Sequence, residues 1–234
     1  MLEISKLSVD YGSISALQDV SLRVGAGQMV GILGANGAGK TSLLRTISGL
    51  VRARSGNIVF GGQDISRMNA DAIVRLGISH VPEGRGIFPD MAVRENLLLG
   101  AYSRRDRSEV AADYADMLQM FPSLGRRERQ EGSTLSGGEQ QMLALARAMM
   151  GRPKLLLADE VSLGLAPVIT QQVFGHLKTL RERGMTILVV EQNAHLVMKM
   201  VDYIYVLKYG RVVLEGTTQQ LASNRNLTEA YLGE

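Results

Sequence analysis

Gly34-Ala35-Asn36-Gly37-Ala38-Gly39-Lys40-Thr41 fits the pattern G-x-x-x-x-G-K-[ST], a residue set suited to wrapping nucleotide phosphates. Its residue types carry the chemistry. Glycines let the backbone approach a phosphate and turn N–H groups toward it, and the N-terminus of a following helix adds partial positive charge. Lys40 has the reach to meet β- and γ-phosphates, and the Thr41 hydroxyl is a hard oxygen ligand for Mg²⁺. A second feature, Leu155-Leu156-Leu157-Ala158-Asp159-Glu160, is an apolar run ending in two carboxylates. At a strand end beside a phosphate loop, Asp159 would hold the metal, directly or through water. Glu160 would polarise the attacking water as general base. In the third feature, Thr134-Leu135-Ser136-Gly137-Gly138-Glu139-Gln140, glycines open a helix and leave a serine hydroxyl and backbone N–H groups for an anion. One nucleotide does not need two such loops from one subunit. The Ser136 loop is therefore expected to cover a nucleotide held by another copy.

These groups need elements to position them. Gln28 to Leu33 reads as a buried strand feeding the glycine loop, and Ser42 to Ile47 as the helix after it. Leu2 to Val9 and Val20 to Val24 read as further strands, with Gly25-Ala26-Gly27 the turn before Met29. Gly56 to Phe60 reads as an edge strand, and Ile78 to Val81 as a short strand ending at Pro82. From about 90 to 150 the texture is helical: Glu95 to Tyr102, Ser108 to Phe121 and Gly138 to Met150. The middle helix is spaced by Val110, Tyr114, Met117, Leu118 and Phe121. Strands return at Lys154 to Ala158 and Met185 to Val190, with a helix over Val168 to Arg183 between them. Their continuous apolar runs suit a parallel sheet covered on both faces. Tyr203 to Leu207 and Val212 to Glu215 read as a hairpin across Tyr209-Gly210. The expected architecture is one α/β domain over 1–234 with a helical subdomain inserted at about 90–150.

Composition narrows the function classes. A net charge of +3 is too weak to argue for nucleic acid, and 5% aromatic residues without Trp offer no stacking platform. Arg104-Arg105-Asp106-Arg107 and Arg126-Arg127-Glu128-Arg129 are basic clusters that read as solvated helix ends or as contacts for an acidic partner or lipid headgroups. The absence of cysteine leaves no disulfide framework or thiolate metal site. Met1 to Lys6 lacks the pattern of a secretory leader, and no apolar run approaches the ~18 residues of a spanning helix. A membrane role is expected to come through a partner. His80 and His176 carry no metal spacing and read as structural.

On Leu135 to Glu139, placed upstream of the acidic strand, and on the glycine loop, the chain resembles the ATPase subunit of ATP-binding cassette (ABC) transporters along essentially its whole length. The resemblance implies a P-loop NTPase cassette: a mostly parallel RecA-like core sheet, an N-terminal antiparallel β part and a helical subdomain. It implies that Tyr11, Ala16, Gly34, Asn36, Gly37, Ala38, Gly39, Lys40, Thr41 and Ser42 bind ATP on one side. Leu135, Ser136, Gly137, Gly138 and Glu139 of a facing subunit would close the other. Thr41, Glu83 and Asp159 would hold Mg²⁺, and Glu160 and Gln192 would be catalytic. Ser162 to Pro167 matches the loop through which two cassettes sense each other.

Val81 to Pro89, Ser162 to Pro167 and Val190 to Ala194 are most similar to ATPases of branched-chain amino-acid importers. This implies a second ATPase subunit, two transmembrane permease subunits, a periplasmic or extracellular binding protein and a place on the cytoplasmic face of the membrane. Another cargo (urea, an amide or an exported lipid) and a non-transport ABC ATPase remain as alternatives. Three departures stand out. Glu83 replaces the usual Gln, and a carboxylate still ligates Mg²⁺. Gln192 replaces a γ-phosphate-sensing His and cannot relay a proton, so weaker hydrolysis is expected; His195 reads as a helix-surface residue. Val161 replaces the usual Pro.

Overall fold

A computed structural model describes residues 1–223, so the end of the expected 1–234 domain lies outside the described residues. The chain opens with β1 (Leu2–Tyr11) and β2 (Ile14–Val24), an antiparallel hairpin longer than its apolar segments suggest. The pairs at its tip, Asp10 with Ser15 and Tyr11 with Ile14, lie outside the core and extend the ladder beyond what sequence patterning detects. Then come β3 (Met29–Leu33), α1 (Lys40–Ile47), β4 (Ser55–Phe60) and β5 (Gln63–Asp64). One sheet has the order β2-β1-β4-β5. The strand expected at its edge, β4, is thus flanked on both sides: Gly61 and Gly62, both at positive φ, turn the chain so that β5 covers its outer side.

After α2 (Ala70–Leu76) and β6 (Ile78–Val81), a helical segment supplies α3 (Val93–Gly100), α4 (Arg107–Met120), α5 (Pro122–Gly125) and α6 (Gly137–Met150). The remainder alternates: β7 (Leu155–Asp159), α7 (Pro167–Glu182), β8 (Thr186–Glu191), α8 (Ala194–Met198), β9 (Tyr203–Lys208), β10 (Arg211–Thr217) and α9 (Thr218–Ser223). The second sheet has the order β10-β9-β3-β8-β7-β6, parallel except for the returning hairpin strand β10.

Both faces of this sheet are buried, which is why its strands are apolar throughout. Met29, Leu33, Leu156, Ala158, Ile187 and Val189 face one core together with α6 and α7. Val30, Ile32, Leu155, Leu157, Leu188 and Val190 face the other, shared with α1 and the antiparallel sheet. The spaced residues of α4, from Val110 to Leu118, and Phe121 just after it pack onto the first core as their periodicity predicts. Leu143, Ala144, Leu145 and Ala146, consecutive on α6, are all buried, because that helix is covered on every side. At about 1.5–3 kcal/mol for each fully buried large apolar side chain, α6 is held firmly to the sheet. Of the basic clusters, Arg104 turns inward to Asp106, Asp113 and the Met150 carbonyl, joining α4 to the end of α6.

Candidate nucleotide site

Four adjacent strands, β3, β8, β7 and β6, bring their C-terminal ends to one side of the sheet. Leu33 leads into the glycine loop, Glu191 ends β8, Asp159 ends β7, and Val81 leads through Pro82 to Glu83. Parallel register enforces this gathering, pairing Leu33 with Glu191 and Asp159 with Val190. The loop is tightly walled. A Cβ on Gly34 would lie 2.4 Å from the Leu207 carbonyl oxygen. Gly39 has φ 104°, and a Cβ there would lie 2.5 Å from the Ala16 carbonyl oxygen. Ala16 is therefore part of the loop's wall, while Tyr11 stands half-exposed at the hairpin tip. Helix α1 starts immediately after Gly39, with its free N–H groups at the loop.

Lys40 is buried. Its Nζ donates to the Gly34 and Ala35 carbonyls at 2.9 and 3.1 Å and lies 2.9 Å from Glu160 Oε1. Thr41 Oγ1 donates to Asp159 Oδ1 at 3.1 Å, whereas Asp159 Oδ2 is buried without a hydrogen-bond partner. Burial pushes the Asp159 carboxyl up to about 6; the Thr41 hydrogen bond opposes this, and the charges of Glu160 and Glu83 add to it. A hydroxyl, an unpartnered carboxylate oxygen and a nearby second carboxylate form a hard-oxygen donor set that fits Mg²⁺. Among the described residues no group of three or more acidic, imidazole or thiol side chains is placed to hold a metal. An ion here would need Thr41 and phosphate oxygens as ligands.

Glu160 sits at φ 44°, a strained left-handed turn directly after β7, with its N–H donating to the Val190 carbonyl at 3.0 Å. Gln192 Nε2 donates to Asn36 Oδ1 and lies 3.5 Å from both Glu160 carboxylate oxygens. The structure thus brings Gln192 to the loop and to the acid, while His195 lies on the exposed side of α8. His176 packs against Phe121 at a ring separation of 4.4 Å, away from these groups.

Ser136 caps α6. Its hydroxyl accepts from the Glu139 N–H at 3.3 Å and donates to Glu139 Oε2 at 2.8 Å, and its own N–H donates to the same oxygen at 2.9 Å. The hydroxyl expected to face an anion closes a reciprocal cap within its own helix. Leu135 is buried, and its N–H donates to the Gly132 carbonyl at 3.3 Å.

Residues 17–162 match the family model described as ABC transporter. The high-affinity branched-chain amino acid transport ATP-binding protein BraG of Pseudomonas aeruginosa is 46% identical over 233 residues, covering 100% of both chains. The lipopolysaccharide export system ATP-binding protein LptB of Haemophilus influenzae is 32% identical, covering 100% of this chain and 98% of its own. A crystal structure of the ADP conformation of an ATP-binding cassette of an ABC transporter superposes with a TM-score of 0.86 at 27% identity, covering 100% of this chain and 99% of that one. The chain belongs to the ABC transporter family. It is an ATP-binding, ATP-hydrolysing cassette.

Several side chains that hold this ABC cassette's motifs in place carry little local signal. Arg127 Nε lies 2.8 Å from Glu139 Oε1, a partner that a run of arginines does not reveal. Burial pushes the Glu139 carboxyl up, but the Ser136 hydrogen bonds and Arg127 outweigh it and hold it below its ordinary value. Arg85, at φ 72°, donates to Gln140 on α6, and Arg147 on α6 donates to the Gly86 carbonyl at 2.7 Å. The loop after Glu83 is therefore stitched to the helix that Ser136 opens. Val161, where the family usually has Pro, is buried in the first core and fills it as an apolar side chain. Glu191 repeats the pattern that marked Asp159, an acid closing an apolar strand, so a signal for it was present.

Proposed function

We propose that this cassette powers uptake of branched-chain amino acids by Mg²⁺-dependent ATP hydrolysis between two cassettes. The convergence of Lys40, Thr41, Asp159, Glu160 and Gln192 at one sheet end carries the chemical part of this reading. For the cargo, 46% identity to BraG against 32% to LptB favours the amino-acid importer.

In this mechanism Lys40 exchanges the Gly34 and Ala35 carbonyls and Glu160 for oxygens of the β- and γ-phosphates. Losing that ion pair frees Glu160 to accept a proton from water as the water oxygen attacks the γ-phosphorus and the bond to ADP breaks. Gln192, already bridging Asn36 and Glu160, donates to the γ-phosphate side. Held by Thr41, Asp159 and Glu83, Mg²⁺ would neutralise phosphate charge. Ser136 of a facing cassette would exchange its Glu139 bond for the γ-phosphate. Among the described residues no helix is long and apolar enough to cross a membrane. This suits a peripheral subunit on the cytoplasmic face, working on two permease subunits served by a substrate-binding protein.

The test is the complex reconstituted in vesicles with its permeases and binding protein. Leucine, isoleucine or valine should stimulate ATP hydrolysis and be taken up. Stimulation by a lipopolysaccharide, an amide or urea alone would replace the cargo.

A further inference from the structure

The carboxylate of Glu191 takes no part in the chemistry above, yet it is 3% exposed and precedes Gln192 directly in the chain. Glu191 Oε1 accepts from the Ser162 N–H at 3.0 Å and Oε2 from the Ser162 hydroxyl at 2.9 Å. The next residue in the chain is Gln192, whose side chain reaches Asn36 and Glu160, so the carboxylate is one peptide bond from that group. Among the described residues no lysine or arginine pairs with it, and Glu160 adds a like charge nearby. Burying a lone carboxylate is costly unless its lone pairs are filled. Both donors come from Ser162, on the loop that follows Glu160, while the chain itself joins Glu191 to the residue beside Asn36 and Glu160. Next to Ser162, Leu163 is 54% exposed, so the same loop presents an apolar side chain outward.

We infer that Glu191 is a positioning residue whose carboxylate locks Ser162 and Gln192 into one unit, so that contact of a facing cassette with the Ser162–Pro167 loop sets where Gln192 stands beside Glu160. Pairing of cassettes and hydrolysis are thereby coupled through one buried side chain. The inference rests on the proposed roles of Glu160 and Gln192 in hydrolysis. Glu191→Gln tests it, because an amide keeps the volume but puts an NH₂ donor in place of one of the two oxygens that accept from Ser162.

The measurements are steady-state kcat and KM for ATP in the assembled complex, with Glu160→Gln as reference. Glu191→Gln should lower kcat on the order of tenfold, within the range that coupled contacting groups reach, while KM stays within about threefold. Ser162→Ala should also lower kcat and Ser162→Thr should restore it, and adding Ser162→Ala to Glu191→Gln should cost less than the two losses combined. If Glu191→Gln fails to fold, the Ser162→Ala and Ser162→Thr pair decides alone. A wild-type kcat in Glu191→Gln or in Ser162→Ala, or losses that combine in full, would overturn the coupling. Full activity in Glu160→Gln would instead overturn the underlying site assignment.

Discussion

Lys40 and Glu160 form a buried ion pair that phosphate is proposed to replace, so each should fail differently when altered. Lys40→Ala should abolish tight ATP binding, read by nucleotide titration. Glu160→Gln should retain binding and slow turnover by about 10²–10⁴, the range for loss of a general base. Gln192→Ala removes one hydrogen-bond donor and should lower phosphate release about 2- to 12-fold, the equivalent of a typical net hydrogen bond. Gln192→His should leave activity unchanged or raise it, because an imidazole both donates and titrates near neutral pH. An unaltered rate in Gln192→Ala would make Gln192 a bystander. His80 is a stability residue. Burial, helped by the charge of Arg45, pushes its imidazolium down from 6.5 to about 4. The unfolded chain therefore takes up the proton first as pH falls, and stability present above 6.5 is lost toward 4. Between pH 7 and 5 the loss should be about 2 kcal/mol, and His80→Gln should lack it in urea unfolding.

At the scale of elements, α6 links the proposed nucleotide site to the packing. Its first turn carries Ser136 and Glu139, its middle is buried, and α7 presses on Gly138. A Cβ at Gly138 would lie 2.4 Å from Ile169 Cγ2, an atom fixed close to the α7 backbone. At Gly137 the nearest atom, Arg85 Nη2 at 2.8 Å, is the tip of a flexible side chain. Gly138→Ala should therefore destabilise the protein by about 1–3 kcal/mol, as overpacking does. Gly137→Ala should unfold near the wild-type midpoint. Thermal denaturation of the two variants side by side checks this. Equal loss in both would mean that α7 yields as easily as Arg85.

For the whole molecule the decisive event is pairing. Ser136 and the Gly34–Thr41 loop belong to different elements, α6 and the β3–α1 junction, and the proposed site uses them from opposite cassettes. ATP should bring Glu160→Gln cassettes together in sedimentation velocity, and cysteines introduced at Ser136 and Gly37 should crosslink across the pair. A persistent monomer with ATP, and no crosslink in the full transporter, would remove the shared site.

What the sequence by itself determined is whatever consecutive residues can encode. Gly34 to Thr41 dictates a loop shape and the group at its end, Leu155 to Asp159 dictates a covered strand with an acid at its tip, and Ser136 with Glu139 dictates a helix cap. Resemblance then placed Tyr11, Glu83 and Gln192 around them. Tertiary structure decided who meets whom. The strand order β3-β8-β7-β6 pairs Lys40 with Glu160, Thr41 with Asp159 and Glu191 with Ser162. That order is set by how two cores fill on either side of the sheet, a property of no single segment. Packing between separate segments likewise gave Glu139 its arginine, Arg127. Local chemistry is legible because it depends on backbone shape over a few residues; its partners come from packing over the whole chain.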